Sequence, residues 1–431
     1  MLIHPVSMVD LRPHELQLIM ERSFQDISSI YEHVRRIIEN VKQTGDAALL
    51  EVNKEFKEDV GRADLKVSDE EIKQAYSLID KAVVDSLGIA AKNITRFHRA
   101  QVEREMWSIE VSDGIFAGRM VRPMDKVGCY IPGGRASYPS TVLMTTIPAL
   151  VAGVNTIVLT TPPRKDMIVD PATLVAADIA GCRDIYKAGG PWGIAALAYG
   201  TETVPKVDKI VGPGNKYVTA AKMIVFGNVD IDCPAGPSEA LILADETADP
   251  ILIALDFVSQ IEHDPDSVAV LVTPSRKLGE RVCHRIEKEF PSLARKEIIA
   301  SSLTRSHVII APDMNGAIDF SNKYAPEHLQ ILCRDPFFVL SKIKHAGSIF
   351  MGPYAPVPVG DYASGTNHVL PTARCARMFS GLSVDDFVKK PTFQYLSKEG
   401  LRSLKDVVVA LAGAERLPNH ARAVLARFKD R

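Results

Sequence analysis

Apolar residues along the first hundred positions recur at helical spacing. Ile27, Ile30, Tyr31, Val34, Ile37, Ile38 and Val41 fall three and four apart, which predicts an amphipathic helix, and Gly45 stands where a C-terminal cap belongs. Ser68 and Glu71 can satisfy each other's exposed amides as a capping box, so a long amphipathic helix is expected to start there and run toward Phe97. After Lys126 the texture changes, and short apolar runs alternate with helical stretches. Strands are expected at Val127–Ile131, Thr156–Thr160, Asp184–Lys187 and Lys209–Val211. A second series is expected at Ala240–Ala244, Val268–Val272, Val308–Ala311, Leu329–Leu332 and Ser348–Met351. Helices at about 250–261, 277–290, 314–324 and 336–346 fill the gaps of that series. From about residue 380 the helical pattern returns, with a last amphipathic stretch from Leu401 to the end.

Alternation of this kind, with few hairpin signals, predicts parallel sheets covered by helices. The expected fold class is α/β: two incomplete Rossmann-like parallel-sheet domains plus small helical N- and C-terminal segments. The expected division is a helical N-terminal region over 1–126, one α/β domain over 127–237, a second over 238–380, and a helical C-terminal arm over 381–431. A chain of 431 residues is about three times the usual domain length, which agrees with more than one domain.

Charge narrows the function. Lys and Arg number 51 against 53 Asp and Glu, a net charge of −2, so no bulk basic surface is available for nucleic acid or an anionic membrane. Six cysteines are scattered without a CxxC pair, which argues against a disulfide framework or a zinc finger and favours a reducing, cytoplasmic compartment. The first residues show no basic stretch followed by an apolar run, so no signal peptide is expected. Residues 136–163 carry no charge, yet Pro139, Pro148, Pro162 and Pro163 interrupt them. A buried helix over Ser140–Ala152 feeding a buried strand fits that run better than a membrane span.

Five places hold candidate chemistry. Glycine-rich turns follow two strands, at Tyr130-Ile131-Pro132-Gly133-Gly134 and Val211-Gly212-Pro213-Gly214-Asn215. Such turns let backbone amides approach a phosphate, and they serve equally as plain chain reversals; neither is a GxGxxG fingerprint. Gln260 and His263 are three apart at the end of a helix, so they are expected to point the same way and to suit a borderline cation such as Zn²⁺. Glu327-His328 opens a strand, either as a solvated pair or as a desolvated acid/base pair. Gly360 to His368 is a run of small and polar residues with no helical or strand period, a composition that lines sites more often than cores. Glu415 and His420 lie five apart, and Pro418 permits a break between them.

Taken together, these segments resemble the histidinol dehydrogenase family over nearly the whole chain. The residues that carry the resemblance are Gly128-Cys129-Tyr130-Ile131-Pro132-Gly133-Gly134, Ala195-Ala196-Leu197-Ala198-Tyr199-Gly200, Val207 to Asn215, Ala235-Gly236-Pro237-Ser238-Glu239, Ser259 to Asp266, Tyr324 to His328 and Gly360 to Pro371. The resemblance implies oxidation of L-histidinol to L-histidine in two NAD-dependent steps, with one Zn²⁺ per site. It implies Gln260, His263, Asp361 and His420 as metal ligands, with Glu327 and His328 as the catalytic acid/base pair. It places Ser238, Gln260, His263, His328, Asp361, His368, Glu415 and His420 around the substrate, and NAD near Tyr130 and Asn215. It also implies an intertwined homodimer in which Glu415 and His420 complete the partner's site.

One departure stands out. Where the family usually reads Gly-Gly-Ala-Gln, this chain reads Gly189-Gly190-Pro191-Trp192. The glutamine touches NAD; an indole can stack on a cofactor ring but lacks the amide's paired donor and acceptor. The stretch Ala373-Arg374-Cys375-Ala376-Arg377 is also more basic than expected. Both features fit a relative that oxidises another small polyol, such as a sulfonated propanediol, because an extra arginine favours an anion. A third reading is a non-catalytic metal- or nucleotide-binding protein. The full set of Gln260, His263, Glu327, His328, Asp361, His368, Glu415 and His420 argues against it.

Overall fold

The computed structural model describes residues 3–22, 28–133, 137–234 and 236–428; Ile27, Gly134 and Ala235 lie outside them. By its internal contacts the chain forms two compact units, Met1–Gln101 with Met124–Phe387, and Val102–Pro123 with Val388–Arg431.

The larger unit holds two parallel sheets. In the first, strands β5 (Lys126–Tyr130), β6 (Thr156–Thr161), β7 (Asp184–Lys187), β8 (Lys209–Val211) and β9 (Asp230–Ile231) lie in the order β7-β6-β5-β8-β9. The second contains β1 (Pro5–Ser7), β10 (Glu239–Ala244), β11 (Val268–Thr273), β12 (His307–Ile310), β13 (His328–Leu332) and β14 (Ser348–Met351), in the order β1-β12-β11-β10-β13-β14. Every neighbouring pair in both sheets is parallel. All residues of β10, β11 and β13 are buried, because helices cover both faces; that is why these strands read as unbroken apolar runs.

Strand order reverses between β5 and β8 in one sheet and between β10 and β13 in the other. Neighbouring loops diverge at such points and leave a crevice. Only residues 232–238 separate β9 from β10, and they carry the chain from the carboxyl edge of the first sheet to the amino edge of the second. The uncharged segment is the helix Pro139–Ala152, buried from Thr141 to Ala149 and ended by Gly153 at φ 90. No helix among the described residues is long and apolar enough to cross a membrane.

Several elements differ from expectation. The helix begun by the Ser68–Glu71 box stops at Ser77, whose hydroxyl donates to the Gln74 carbonyl (2.7 Å), and a second helix runs over Lys81–Arg99. The helix expected at 336–346 is only Pro336–Leu340, because Asn322 takes the following backbone, donating to the Lys342 carbonyl (3.0 Å) and accepting from the Lys344 amide (2.7 Å). The last stretch is two helices, Lys398–Ala414 and Pro418–Leu425, parted at Arg416 with φ 57.

The readings of 1–126 and 381–431 as helical need correction. β1 joins the second sheet, and the smaller unit is built on strands. There β2 (Met106–Ser112) and β3 (Ile115–Met120) form an antiparallel hairpin, with β16 (Thr392–Leu396) on the other side of β3. A second antiparallel pair joins β4 (Arg122–Pro123) to β15 (Val388–Lys389).

Candidate active site

The second sheet places a cluster of polar groups at the amino ends of β10 and β13. Their ladder begins with Ala240 opposite His328, so Ser238, Glu239 and Glu327 gather at its mouth. Glu327 and His328 are both buried, which excludes the solvated pair. The Glu327 carboxylate accepts from the Ser238 hydroxyl (2.8 Å) and from the Glu239 amide (2.8 Å). Burial nonetheless dominates and lifts its pKa to about 7, although the adjacent His328 pulls the other way.

The geometry around His328 fixes its tautomer. Nδ1 lies 3.1 Å from the Glu239 carbonyl, which only accepts, so Nδ1 carries the hydrogen. In the neutral ring Nε2 then presents a lone pair. That atom is buried without a hydrogen-bond partner and faces Asp361 Oδ1 at 3.6 Å, beyond hydrogen-bond range. Burial works to lower the His328 pKa, but the carboxylates of Glu327 and Asp361 outweigh it and raise it to about 9.

Asp361 comes from the short helix Val357–Tyr362, a period not expected within the Gly360–His368 run. Burial works to raise its carboxyl; the imidazoles of His328, His368 and His263 prevail and hold it below the usual carboxylate range. His368 donates from Nδ1 to the Asp361 carbonyl (2.7 Å), and its Nε2 lies 3.1 Å from the Thr141 hydroxyl. Burial lowers its pKa, so it stands neutral and accepts the threonine hydrogen.

The helix Pro250–Ile261 brings Gln260, fully buried, into the cluster, where Nε2 donates to Ser238 Oγ (2.9 Å). His263 lies beyond the end of that helix and is exposed, so the two side chains do not share a helical face as expected. Among the described residues no three His, Cys, Asp or Glu side chains group as a metal site. The set named from the resemblance has only two of that kind in this unit, His263 and Asp361, beside the Gln260 amide. An amide oxygen, a carboxylate and an imidazole suit Zn²⁺ as donors, and the unpartnered His328 Nε2 marks a polar opening next to them.

The glycine turns flank the other crevice, at the carboxyl ends of β5 and β8. Gly212 has φ 121, and a Cβ there would run into the Tyr130 carbonyl, so only glycine lets the two turns meet. The Gly212 amide donates to Asp232 (2.7 Å) and its carbonyl accepts from Lys222 (2.9 Å), and those two side chains form a buried ion pair. Tyr130 is buried, its hydroxyl accepting from the Gly190 amide (3.0 Å). Asn215 caps the helix Lys216–Val225, accepting from the Tyr217 and Val218 amides (3.0 and 3.2 Å). Trp192 is half-buried, one turn into the helix Gly190–Tyr199.

Glu415 and His420 lie in the smaller unit, both exposed, and no residue of Pro418–Leu425 is buried. Sequence reading missed the structural weight of Glu239, quoted there only as the end of a motif, and missed Arg22 altogether. A lone acid heading the all-apolar run Ala240–Ala244 was the available signal for Glu239; Arg22 had none.

A family profile for histidinol dehydrogenase matches residues 20–428. The chain is 53% identical to the histidinol dehydrogenase of Methanocaldococcus jannaschii over 420 residues, 97% of each chain. It is 51% identical to that of Methanosarcina mazei, over 97% of this chain and 96% of that one. The crystal structure of histidinol dehydrogenase from Elizabethkingia anophelis superposes with a TM-score of 0.94 at 40% identity, covering 99% of this chain and 98% of that one.

Proposed function

Because this chain belongs to the histidinol dehydrogenase family, we propose that it oxidises L-histidinol to L-histidine in two successive NAD-dependent steps at a zinc site. The observation that carries the reading is His328 Nε2, buried without a hydrogen-bond partner beside a carboxyl lifted toward neutrality by the same burial. Two proton-accepting groups side by side, held out of water, are what successive proton removals require.

Gln260, His263 and Asp361 of one subunit and His420 of the other would hold the zinc, in a homodimer whose smaller unit would bring Glu415 and His420 to the partner's site. When bound, NAD accepts a hydride in each half-reaction, and zinc supplies Lewis acidity and a fixed substrate orientation. His328 takes the proton of the substrate alcohol at Nε2, where a cation held by Asp361 would offset the carboxylate that otherwise favours a proton on the ring. Glu327 then takes a proton from the water that adds to the aldehyde, and the hydrate is oxidised to the acid. Ser238, fixed between Gln260 and Glu327, keeps that carboxylate turned toward the water. His368, neutral and held at both nitrogens, shapes the substrate wall with Glu415. Tyr130 and Asn215 would hold the cofactor at the crevice between β5 and β8; with the Asn215 oxygen spent on its helix, its amide nitrogen is the group left to make contact. Trp192 stacks on a cofactor ring in place of an amide contact. The reading carries with it a cytoplasmic location.

The arginines that favoured an anionic substrate point elsewhere. Arg374 and Arg377 line a cavity of about 570 Å³ with Met20, Glu21, Ala373 and Met378, which includes none of the groups around His328. Steady-state NADH formation with L-histidinol as sole substrate tests the proposal; turnover of sulfonated or plain diols in its place would overturn it.

A further inference from the structure

Two buried charges stand behind the Glu327-His328 pair. Glu239 lies one residue before the β10–β13 ladder begins, and from there it makes three contacts to the pair. Its carbonyl takes the Nδ1 hydrogen of His328 (3.1 Å), its amide donates to Glu327 Oε2 (2.8 Å), and its own Oε1 accepts from the Glu327 amide (3.3 Å). One residue therefore sets the tautomer of the histidine and the direction of the carboxylate. Its side chain is fully buried, and a carboxylate in that position requires a counter-charge.

Arg22 supplies it. Nη2 donates to Glu239 Oε1 (2.5 Å), with the two side chains 3% and 0% exposed. Nη1 donates to the Met20 carbonyl (2.9 Å), and the guanidinium carbon lies 3.3 Å from the centre of the Tyr324 ring. Tyr324 is the last residue of the helix Met314–Tyr324, three positions before Glu327. One guanidinium thus bears on the catalytic dipeptide from both sides, through Glu239 and through the helix that leads into it.

We infer that Arg22 and Glu239 are positioning residues, a buried ion pair that orients Glu327 and His328 without touching substrate. The inference rests on the proposed roles of that pair. With Arg22 removed, the buried Glu239 carboxylate loses its guanidinium counter-charge; it shifts toward the protonated form or turns, and the three contacts move with it. With both charges removed together, as in the double variant R22M/E239Q, the amide oxygen still accepts from the Glu327 amide and the backbone contacts remain.

Four variants of the full-length, metal-loaded protein test this: Arg22→Lys, Arg22→Met, Glu239→Gln and the double variant. In Arg22→Met kcat with L-histidinol should fall on the order of 10–100-fold, a loss typical of misplaced catalytic groups, while KM stays within about 3-fold. Arg22→Lys should recover part of that loss, and the double variant most of it. Nitrogen-15 NMR of the His328 ring, recorded with the ring neutral, reads the tautomer without substrate or cofactor. The Nδ1–H form should dominate in the wild type, decline in Arg22→Met and return in the double variant. Should Arg22→Met fail to fold, Arg22→Lys keeps the charge but loses the two-pronged geometry, and a lowered kcat at steady KM gives the same answer. A folded Arg22→Met with wild-type kcat and an unchanged tautomer overturns the inference. So does a double variant no better than the single ones. A wild type inactive on L-histidinol but showing the expected tautomer pattern would instead refute the proposed reaction and leave the positioning role standing.

Discussion

Ser238 joins Gln260 to Glu327, accepting a hydrogen from the amide at 2.9 Å and giving its own to the carboxylate at 2.8 Å. The hydroxyl has one hydrogen, so its direction is settled: the carboxylate receives it, and the Gln260 nitrogen is turned inward. The Gln260 oxygen is thereby the end left for a cation. Ser238→Ala should lower zinc affinity on the order of 10–100-fold, as loss of a ligand's supporting hydrogen bond does. Competition with a chelator measures this, and unchanged affinity would remove Ser238 from the arrangement.

His328→Asn should keep the fold and the zinc yet lose alcohol oxidation on the order of 10²–10⁴-fold, the usual worth of a positioned base. Asparagine can still donate to the Glu239 carbonyl but offers no basic nitrogen toward Asp361. Near-normal turnover of the folded variant at neutral pH would sink the assignment.

Glu327→Gln should harm aldehyde oxidation more than alcohol oxidation, because only the second step needs an activated water. Burial raises the Glu327 pKa to about 7, so the carboxylate form grows as pH rises through that value. The aldehyde step should climb over the same range in the wild type and lose that climb in the variant. Supplying the aldehyde directly isolates the step; equal loss in both half-reactions would give Glu327 a more general role.

A metal shell shared between subunits, as proposed, predicts complementation. His263→Ala and His420→Ala homodimers should each be nearly inactive, since each lacks a ligand in both sites. Co-expressed, they should form mixed dimers with one intact site, and random pairing should restore about a quarter of wild-type activity. Mixed dimers confirmed by mass but without activity would place His420 and His263 in the same subunit.

Much of the larger unit could be read from the chain because its strands are buried on both faces. A run such as Val268–Thr273 has no alternation to misread and is bounded by turn residues, so its place follows from composition alone. The smaller unit escaped for the opposite reason. β2 is exposed along its whole length, and the alternation Trp107, Ile109, Val111 was passed over even though Asp113-Gly114 is a strong hairpin signal. At the candidate site, Glu327-His328 and the Gly360–His368 run stand out in the chain by residue type and order. The field that tunes them does not, because it depends on the pairing of β10 with β13, and on Arg22 reaching Glu239 across 217 positions of sequence. No local pattern encodes a contact at that separation.

The seven-residue crossing from β9 to β10 is pinned at both ends, by Asp232 against Lys222 and Gly212, and by Ser238 against Glu327. It is thus a ruler between the crevice beside Tyr130 and the polar cluster beside His328. Its span sets how far apart two reacting partners can be held, and a single inserted or deleted residue would miscalibrate every site in the molecule at once.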